Sequence, residues 1–495
     1  MTKNPLLLGW PDATHTAACA TALGRKLQAG DVILLNGPVG AGKTHFARSL
    51  IQSLLSLPED VPSPTFTLVQ TYDTRSGPLW HTDLYRVATD SEIDELGLID
   101  AFDEAICLVE WPDRLGPLRP ENALSIEIAL SGDARTAKLS WSDPKWAERT
   151  AGLGQFLDRT AFRDAFLDRA GWGDASRTLV AGDASNRRYE RLKMTAGQTA
   201  ILMDAAPDMG EDVRPFIEIT QHLRTAHLSA PDIFAQDEAN GYLLIEDLGD
   251  DLFARVMAEE PSLQSPLYKA SVDVLVELHR APLPELPRYD ADIMTERAAL
   301  AFDWYQLGVL GAVDTQARAA FSSAFHALLR PLDAVTPVLI QRDYHAENLI
   351  WLPDRTGAQR VGLLDYQDAM LGHPAYDLMS IAQDARRDVS AELAQMMTDR
   401  YLEATGQEPD AFAQAYAVLG VQRNLRILGV FARLSLAYGK PHYVDLIPRV
   451  WGHIETNMQH PALASVKPLI QAALPTPTTA LLQKLRDQCA TIQLH

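Results

Sequence analysis

The sequence predicts two units in tandem: an α/β unit wound around a phosphate-binding loop, then an α+β unit of two lobes. Three observations carry this. The short apolar strand "DVILL" (31–35) runs into the glycine-rich "GPVGAGKT" (37–44), which opens a helix. Far downstream, "QRDYHAENLI" (341–350) holds an Asp, four residues and an Asn, followed by a hairpin that ends in a second Asp. Between them, "WSDPKWAERTAGLGQF" (141–156) separates strand-like alternation from a helical pattern. That seam sets the expected domains at 1–152 and 153–495.

A chain of 495 residues is long enough for more than one core, and its 47% hydrophobic, 7% aromatic and 22% charged residues suit a globular fold. No apolar run approaches the roughly 18 residues needed to span a bilayer. The opening "MTKNPLLLGWPDATH" has an apolar patch too short for a secretory signal core, so the chain is expected in the cytoplasm. Cys19, Cys107 and Cys489 are few, odd in number and far apart, so neither a disulfide framework nor a zinc cluster is suggested. The net charge of −21 argues against a direct nucleic-acid clamp, because phosphate neutralisation needs clustered Lys and Arg. The first 150 residues alone hold 13 basic against 20 acidic residues.

In the first unit, strand, glycine loop and helix follow in the order that a P-loop requires. The helix keeps Phe46, Leu50, Ile51 and Leu54 on one face. Backbone N–H groups of Gly37, Gly40, Ala41 and Gly42 can close on phosphate oxygens, and the helix N-terminus adds positive potential. Lys43 is expected at the β- and γ-phosphates and Thr44 on Mg²⁺. "LWHTD" (79–83) and "AICLVE" (105–110) read as buried strands ending in Asp83 and Glu110. Ligands of open α/β sheets bind at strand carboxyl ends, so one acid could hold the metal and the other orient the attacking water. "SPTFTLV" (63–69) is a hydroxyl-rich loop suited to sense a γ-phosphate. Strands over 123–130 and 136–141 close the unit.

"GPVGAGKT", "SPTFTLV", "HTDLYR" and "LVEWPDR", in this order, closely resemble the TsaE (YjeE) family over about residues 5–141. The resemblance implies a P-loop NTPase fold and an ATPase needed to make threonylcarbamoyl adenosine next to the tRNA anticodon. It implies that Lys43 and Thr44 bind ATP–Mg²⁺, that Glu110 helps hold the metal and that Asp83 is the Walker-B-like acid. Trp111 matches a family tryptophan, and Thr16 falls near a threonine that contacts nucleotide. The family works with two partner proteins, of the TsaB and TsaD type. The stretch 87–109, with seven acids and no base, is either a docking surface or a solvated helix face.

In the second unit, "RTLVAGD", "RRYERLKM" and "TAILMDA" read as three successive strands, with Ser185, Asn186 and Arg187 around the first hairpin tip. "YLLIEDLG" (242–249) reads as a strand leaving into a hinge, where Glu246 and Leu248 would flank adenine. "SVDVLVELHR" is a helix that stops at the Pro-rich "APLPELPRYD". Asp343 and Asn348 have the spacing of a kinase catalytic loop, in which the Asp accepts the substrate hydroxyl proton and the Asn binds Mg²⁺. "NLIWL" and "RVGLLD" form a hairpin that ends in Asp365, where the second Mg²⁺-binding acid belongs. His345 and His373 read as packed or surface residues rather than acid–base groups, and Asp377 as the cap or brace of a helix.

"GDASNRRY", "EDLGD", "RDYHAENLIWL", "LLDYQDAMLGHPAYDL" and "QRNLRILGVFARL" resemble the aminoglycoside phosphotransferase and choline-kinase superfamily over about residues 160–450. Within it they look most like kinases of the anomeric hydroxyl of N-acetylmuramate and N-acetylglucosamine. The resemblance implies a bilobal, protein-kinase-like fold and a second ATP–Mg²⁺ site. Two positions depart from the pattern. Gln341 replaces a largely architectural His, and Met203-Asp204 stands where a phosphate-pairing Lys is usual. Arg187, Arg188 or Lys193 could supply that charge. Another acceptor, such as an aminoglycoside or choline, or an inactive nucleotide-binding module, stays open for this unit, and a timing switch for the first.

Overall fold

The computed structural model describes residues 5–10, 12–55, 60–65, 67–87, 92–93, 96–131, 134–180 and 187–492. The chain forms two compact units, residues 1–174 and 175–495. The division falls later than the seam suggested. The helix Leu153–Arg169 buries Leu153 in the first unit's core. It also brings Asp164 Oδ2 to 4.0 Å from His15 Nε2. The change of pattern at 141–156 therefore marks a switch from strand to helix, not the end of the unit.

The first unit is a seven-stranded sheet in the order β1-β7-β6-β2-β5-β4-β3. Its strands are β1 (Leu6–Trp10), β2 (Val32–Asn36), β3 (Val69–Thr74), β4 (Gly77–Asp83), β5 (Ile106–Glu110), β6 (Leu124–Ser131) and β7 (Ala134–Ser140). The central pairs β6–β2, β2–β5 and β5–β4 are parallel, and the outer pairs are antiparallel. Because β2 is central, its apolar run is buried on both faces. Ile33 and Leu35 face the helices α1 (Ala13–Gly24) and α2 (Lys43–Leu54) with Leu23, Phe46 and Leu50. Val32 and Leu34 face Leu98 and Phe102 of the helix Leu98–Glu104. The carboxyl ends of β2, β4 and β5 thus meet at one edge.

The second unit opens with a five-stranded antiparallel sheet, β11-β12-β10-β9-β8. These strands are β8 (Ser176–Val180), β9 (Arg188–Lys193), β10 (Thr199–Asp204), β11 (Ile233–Asp237) and β12 (Tyr242–Glu246). One face packs on the amphipathic helix Arg214–Thr225 through Met203, Phe216 and Ile219. A helical lobe follows, with two short antiparallel strand pairs: β13 (Val338–Ile340) with β16 (Met370–Gly372), and between them the hairpin β14 (Leu349–Trp351) with β15 (Val361–Leu363). Its longest helix, Pro409–Leu436, is capped by Glu408, whose carboxylate accepts the N–H groups of Asp410 and Ala411. Gly429 lets this helix pack tightly: a Cβ there would stand 2.3 Å from the Leu300 carbonyl carbon. Among the described residues, no helix is long and apolar enough to cross a membrane.

Candidate active sites

In the first unit, β2 hands the chain to a loop that only glycine permits at its start. Gly37 has φ +144, and a Cβ there would lie 2.4 Å from the Ile128 carbonyl oxygen of the neighbouring strand. Gly40 and Gly42 are left-handed, Ala41 is buried, and α2 begins at Lys43. Lys43 folds back over the loop, its ammonium donating to the carbonyls of Gly37 (2.7 Å) and Pro38 (3.0 Å). It also stands 3.8 Å from the centre of the Trp111 ring, a cation–π contact. Burial pushes its pKa down, and Glu110 and Asp83 oppose that shift.

The parallel register of β4 and β5 sets Asp83 opposite Glu110. Glu110 is buried and holds two side chains, accepting from Thr44 Oγ1 at 3.0 Å and lying 3.0 Å from His81 Nε2. Asp83 accepts Thr65 Oγ1 at 2.7 Å and the N–H of Tyr85 at 2.9 Å. The hydroxyl loop is therefore tied directly to the strand-end acid. Lys43, Thr44, Asp83, Glu110 and Trp111 are brought together. Thr16 is not tied to them: its hydroxyl donates to the Asp12 carbonyl inside α1. At the start of α1, the Ala13 carbonyl lies 2.9 Å from His45 Nε2 of the loop's helix. The sequence reading missed His81, which is fully buried; its place two residues before Asp83, on the same face of β4, was the available signal.

In the second unit the catalytic loop is braced from below. Asp377, fully buried in the first turn of the helix Ala375–Ala382, accepts the N–H groups of Gln341 (2.6 Å) and Arg342 (3.0 Å). It braces the loop, not its own helix as expected. Burial pushes its pKa up to about 7, against the pull of those two N–H groups. Arg342 (φ 70) and Asp365 (φ 54) are left-handed non-glycine residues, a strain that such loops sustain when the surrounding structure fixes them.

Asp343, Asn348 and Asp365 are brought together. Asn348 Nδ2 donates to the Asp343 carbonyl at 2.9 Å and meets Asp365 Oδ2 at 3.5 Å. Gln367 Nε2 holds the other Asp365 oxygen at 2.7 Å. Burial acts to raise the pKa of Asp343, but Arg426, 3.7 Å away, and Arg423 outweigh it and hold the carboxyl below its ordinary range. It is a carboxylate at neutral pH, as a proton acceptor must be. Burial pushes His345 and His373 down to about 4, so both are neutral and packed.

The nucleotide side is less complete. Met203 is buried between Tyr189 and Leu243, so β10 offers no cation there. Lys193 lies at the far end of β9 from Arg188, which pairs with Asp204. Arg187 forms an ion pair with Glu211 at 2.8 Å. Ser185 and Asn186 lie outside the described residues. At the end of β12, Glu246 accepts from Arg355 (2.6 Å) and from the Asp232 N–H (3.2 Å), and Leu248 packs toward Gly362 of β15. The Glu246 N–H itself donates to the Asp232 carbonyl at 2.8 Å.

The residues fit hard-cation chemistry. Each site presents oxygen donors, Thr44 with Glu110 and Asn348 with Asp365, of the kind that Mg²⁺ takes alongside phosphates and water.

Comparison with known proteins separates the units in the same way. Residues 10–137 match the family model "Threonylcarbamoyl adenosine biosynthesis protein TsaE", and residues 176–415 match "Phosphotransferase enzyme family". An N-acetylmuramate/N-acetylglucosamine kinase of Caulobacter vibrioides is 38% identical over 343 residues, covering 62% of this chain and 94% of the relative. One of Pseudomonas putida is 32% identical over 305 residues, covering 60% and 87%. The tRNA threonylcarbamoyladenosine biosynthesis protein TsaE of Rickettsia bellii is 37% identical over 119 residues, covering 24% of this chain and 83% of the relative.

Proposed function

Because the chain belongs to two families at once, TsaE in its first unit and the phosphotransferase enzyme family in its second, we propose that it is a bifunctional cytoplasmic enzyme. The first unit is the ATPase of threonylcarbamoyladenosine formation in tRNA, working with partners of the TsaB and TsaD type. The second phosphorylates the anomeric hydroxyl of N-acetylmuramate and N-acetylglucosamine. ATP with Mg²⁺ supplies an activated phosphoryl group and charge neutralisation at each site.

The kinase reading rests on the meeting of Asp343, Asn348 and Asp365 at one loop. In that reading, the Asp343 carboxylate takes the proton of the sugar hydroxyl as its oxygen bonds the γ-phosphorus. The bond to the bridging oxygen breaks, and ADP leaves with the electron pair. Asn348 and Asp365 would hold the metal. In the first unit, Lys43 would leave the Gly37 and Pro38 carbonyls for the β- and γ-phosphates, and Thr65 would report their presence to Asp83. A water molecule attacks in place of a sugar.

Phosphorus NMR of the intact chain with ATP and each amino sugar tests the kinase reading; the expected product is a sugar 1-phosphate. Product on choline or an aminoglycoside alone would keep the mechanism and discard the acceptor. Restoring the tRNA modification to cells that lack their own such ATPase tests the first unit.

A further inference from the structure

The chain carries a net charge of −21, yet its second site is ringed with arginine. The long helix Pro409–Leu436 puts Arg423 and Arg426, three residues apart, on the face that meets Asp343. Arg426 lies 3.7 Å from the Asp343 carboxylate and is accounted for by it. Arg423 adds to that field but makes no such contact. It is buried, its one hydrogen bond among the described residues is a long one to the Gln383 carbonyl (3.5 Å), and its Nε finds no partner there. A buried guanidinium with an unmet N–H is costly unless a ligand completes it. From the other side of the loop, exposed Arg386 reaches His345 Nε2 at 3.4 Å, a neutral partner that leaves its charge unanswered. Arg342 spends one nitrogen on the Asp368 carbonyl (3.0 Å), and its Nε too lacks a partner.

The acids nearby answer this charge only at a distance, without an ion-pair contact to Arg423 or Arg386 among the described residues. Asp384 accepts the backbone N–H of Arg386 and faces Arg387 at 3.6 Å, and Glu347 faces Arg387 at 3.7 Å. Asp365 lies beside Asn348, at the candidate metal position. Neither Arg423 nor Arg386 thus has a carboxylate in ion-pair contact among the described residues. An acceptor with only hydroxyl and amide groups would leave them unanswered. A planar, bidentate anion matches a guanidinium fork.

We propose that Arg423 and Arg386 form, beside Asp343, a subsite for a carboxylate on the acceptor, so that the second unit selects an acidic amino sugar over a neutral one. This rests on the amino-sugar kinase reading. N-acetylmuramate carries a lactyl carboxylate, and N-acetylglucosamine does not. The pair thus differs by the group that the subsite would read.

The test is steady-state kinetics of the intact chain on both sugars, with ATP varied separately. Arg386→Ala, at an exposed position, avoids a folding defect. It is expected to lower kcat/KM for N-acetylmuramate by about tenfold relative to N-acetylglucosamine, as loss of a charge-assisted hydrogen bond should. Arg386→Lys is expected to recover part of that ratio. Arg423→Gln, checked for folding by its thermal transition, is expected to shift the ratio in the same direction. Equal losses on the two sugars would overturn the inference and make the arginines supports of Asp343. A rise in KM for ATP with either sugar would overturn it in favour of phosphate binding. No product from the wild-type chain on either sugar would overturn the kinase reading, and this inference with it.

Discussion

The two candidate sites are built from different materials. In the first unit the cradle is backbone: three left-handed or forbidden-to-Cβ glycines within six residues, a strand before them and a helix after them. In the second, the working groups are side chains gathered from a loop at 341–348, a hairpin end at 365, a helix start at 377 and a long helix at 423–426. A backbone cradle is local and survives much side-chain change around it. A side-chain site depends on every element that aims it, so single substitutions should divide more sharply there.

The largest effect is expected at Asp343. Asp343→Asn keeps the shape and removes the proton acceptor, so kcat for sugar phosphorylation should fall by about 10²–10⁴-fold. ATP affinity, measured by calorimetry, should stay near wild type. The same variant should restore tRNA modification as well as wild type does, since the first site shares none of these residues. Loss of both activities together would break the comparison.

Lys43→Ala is next. Removing the ammonium that donates into the loop should lower ATP hydrolysis by the first unit by about 10²–10³-fold, on the scale of a lost charge-stabilising donor. Cells that rely on the variant should lack the modification, while sugar phosphorylation continues. Full complementation by Lys43→Ala would remove the P-loop assignment.

What the sequence revealed follows the same division. "GPVGAGKT" was legible because φ and close approach are written in glycine itself, and Asp83 and Glu110 because both end apolar strands. The Asp343–Asn348–Asp365 set was legible because a fixed spacing and one hairpin bring the three together. His81 was not, since a histidine inside a strand gives no sign that a carboxylate will face it from the next strand. Nor were the roles of Asp377, Arg386 and Arg423: each depends on a contact across at least 35 residues of chain. The unit boundary was misplaced because Leu153–Arg169 reads as any amphipathic helix, and only its packing on α1 assigns it.

Asp377 sharpens the point about aiming. Its folded pKa, about 7, lies above the 3.8 of a free Asp, so the folded state holds the proton more tightly. The stability it contributes is full below pH 3.8 and is lost as pH rises through 7. Between pH 5.5 and 7.5 wild type should therefore lose roughly 2 kcal/mol relative to Asp377→Asn, whose amide does not titrate. Urea unfolding of both proteins at the two pH values measures this. A difference independent of pH would mean that Asp377 is ionised throughout, held by the two N–H groups of the loop.

The smallest effect is expected at Glu246. The hinge is the one place where the second site should behave like the first, binding through backbone. The Glu246 side chain is already engaged by Arg355 and by the Asp232 N–H. The Arg355 pair is partly exposed, with 33% and 22% of the two side chains accessible, so it should contribute little beyond about 1 kcal/mol. Glu246→Ala should then change KM for ATP by less than about threefold, within the range of that pair. A tenfold or larger rise in KM for ATP, with kcat unchanged, would show that the carboxylate itself reads the nucleotide. The hinge would then belong with the side-chain sites, and the backbone cradle of the first unit would have no counterpart in the second.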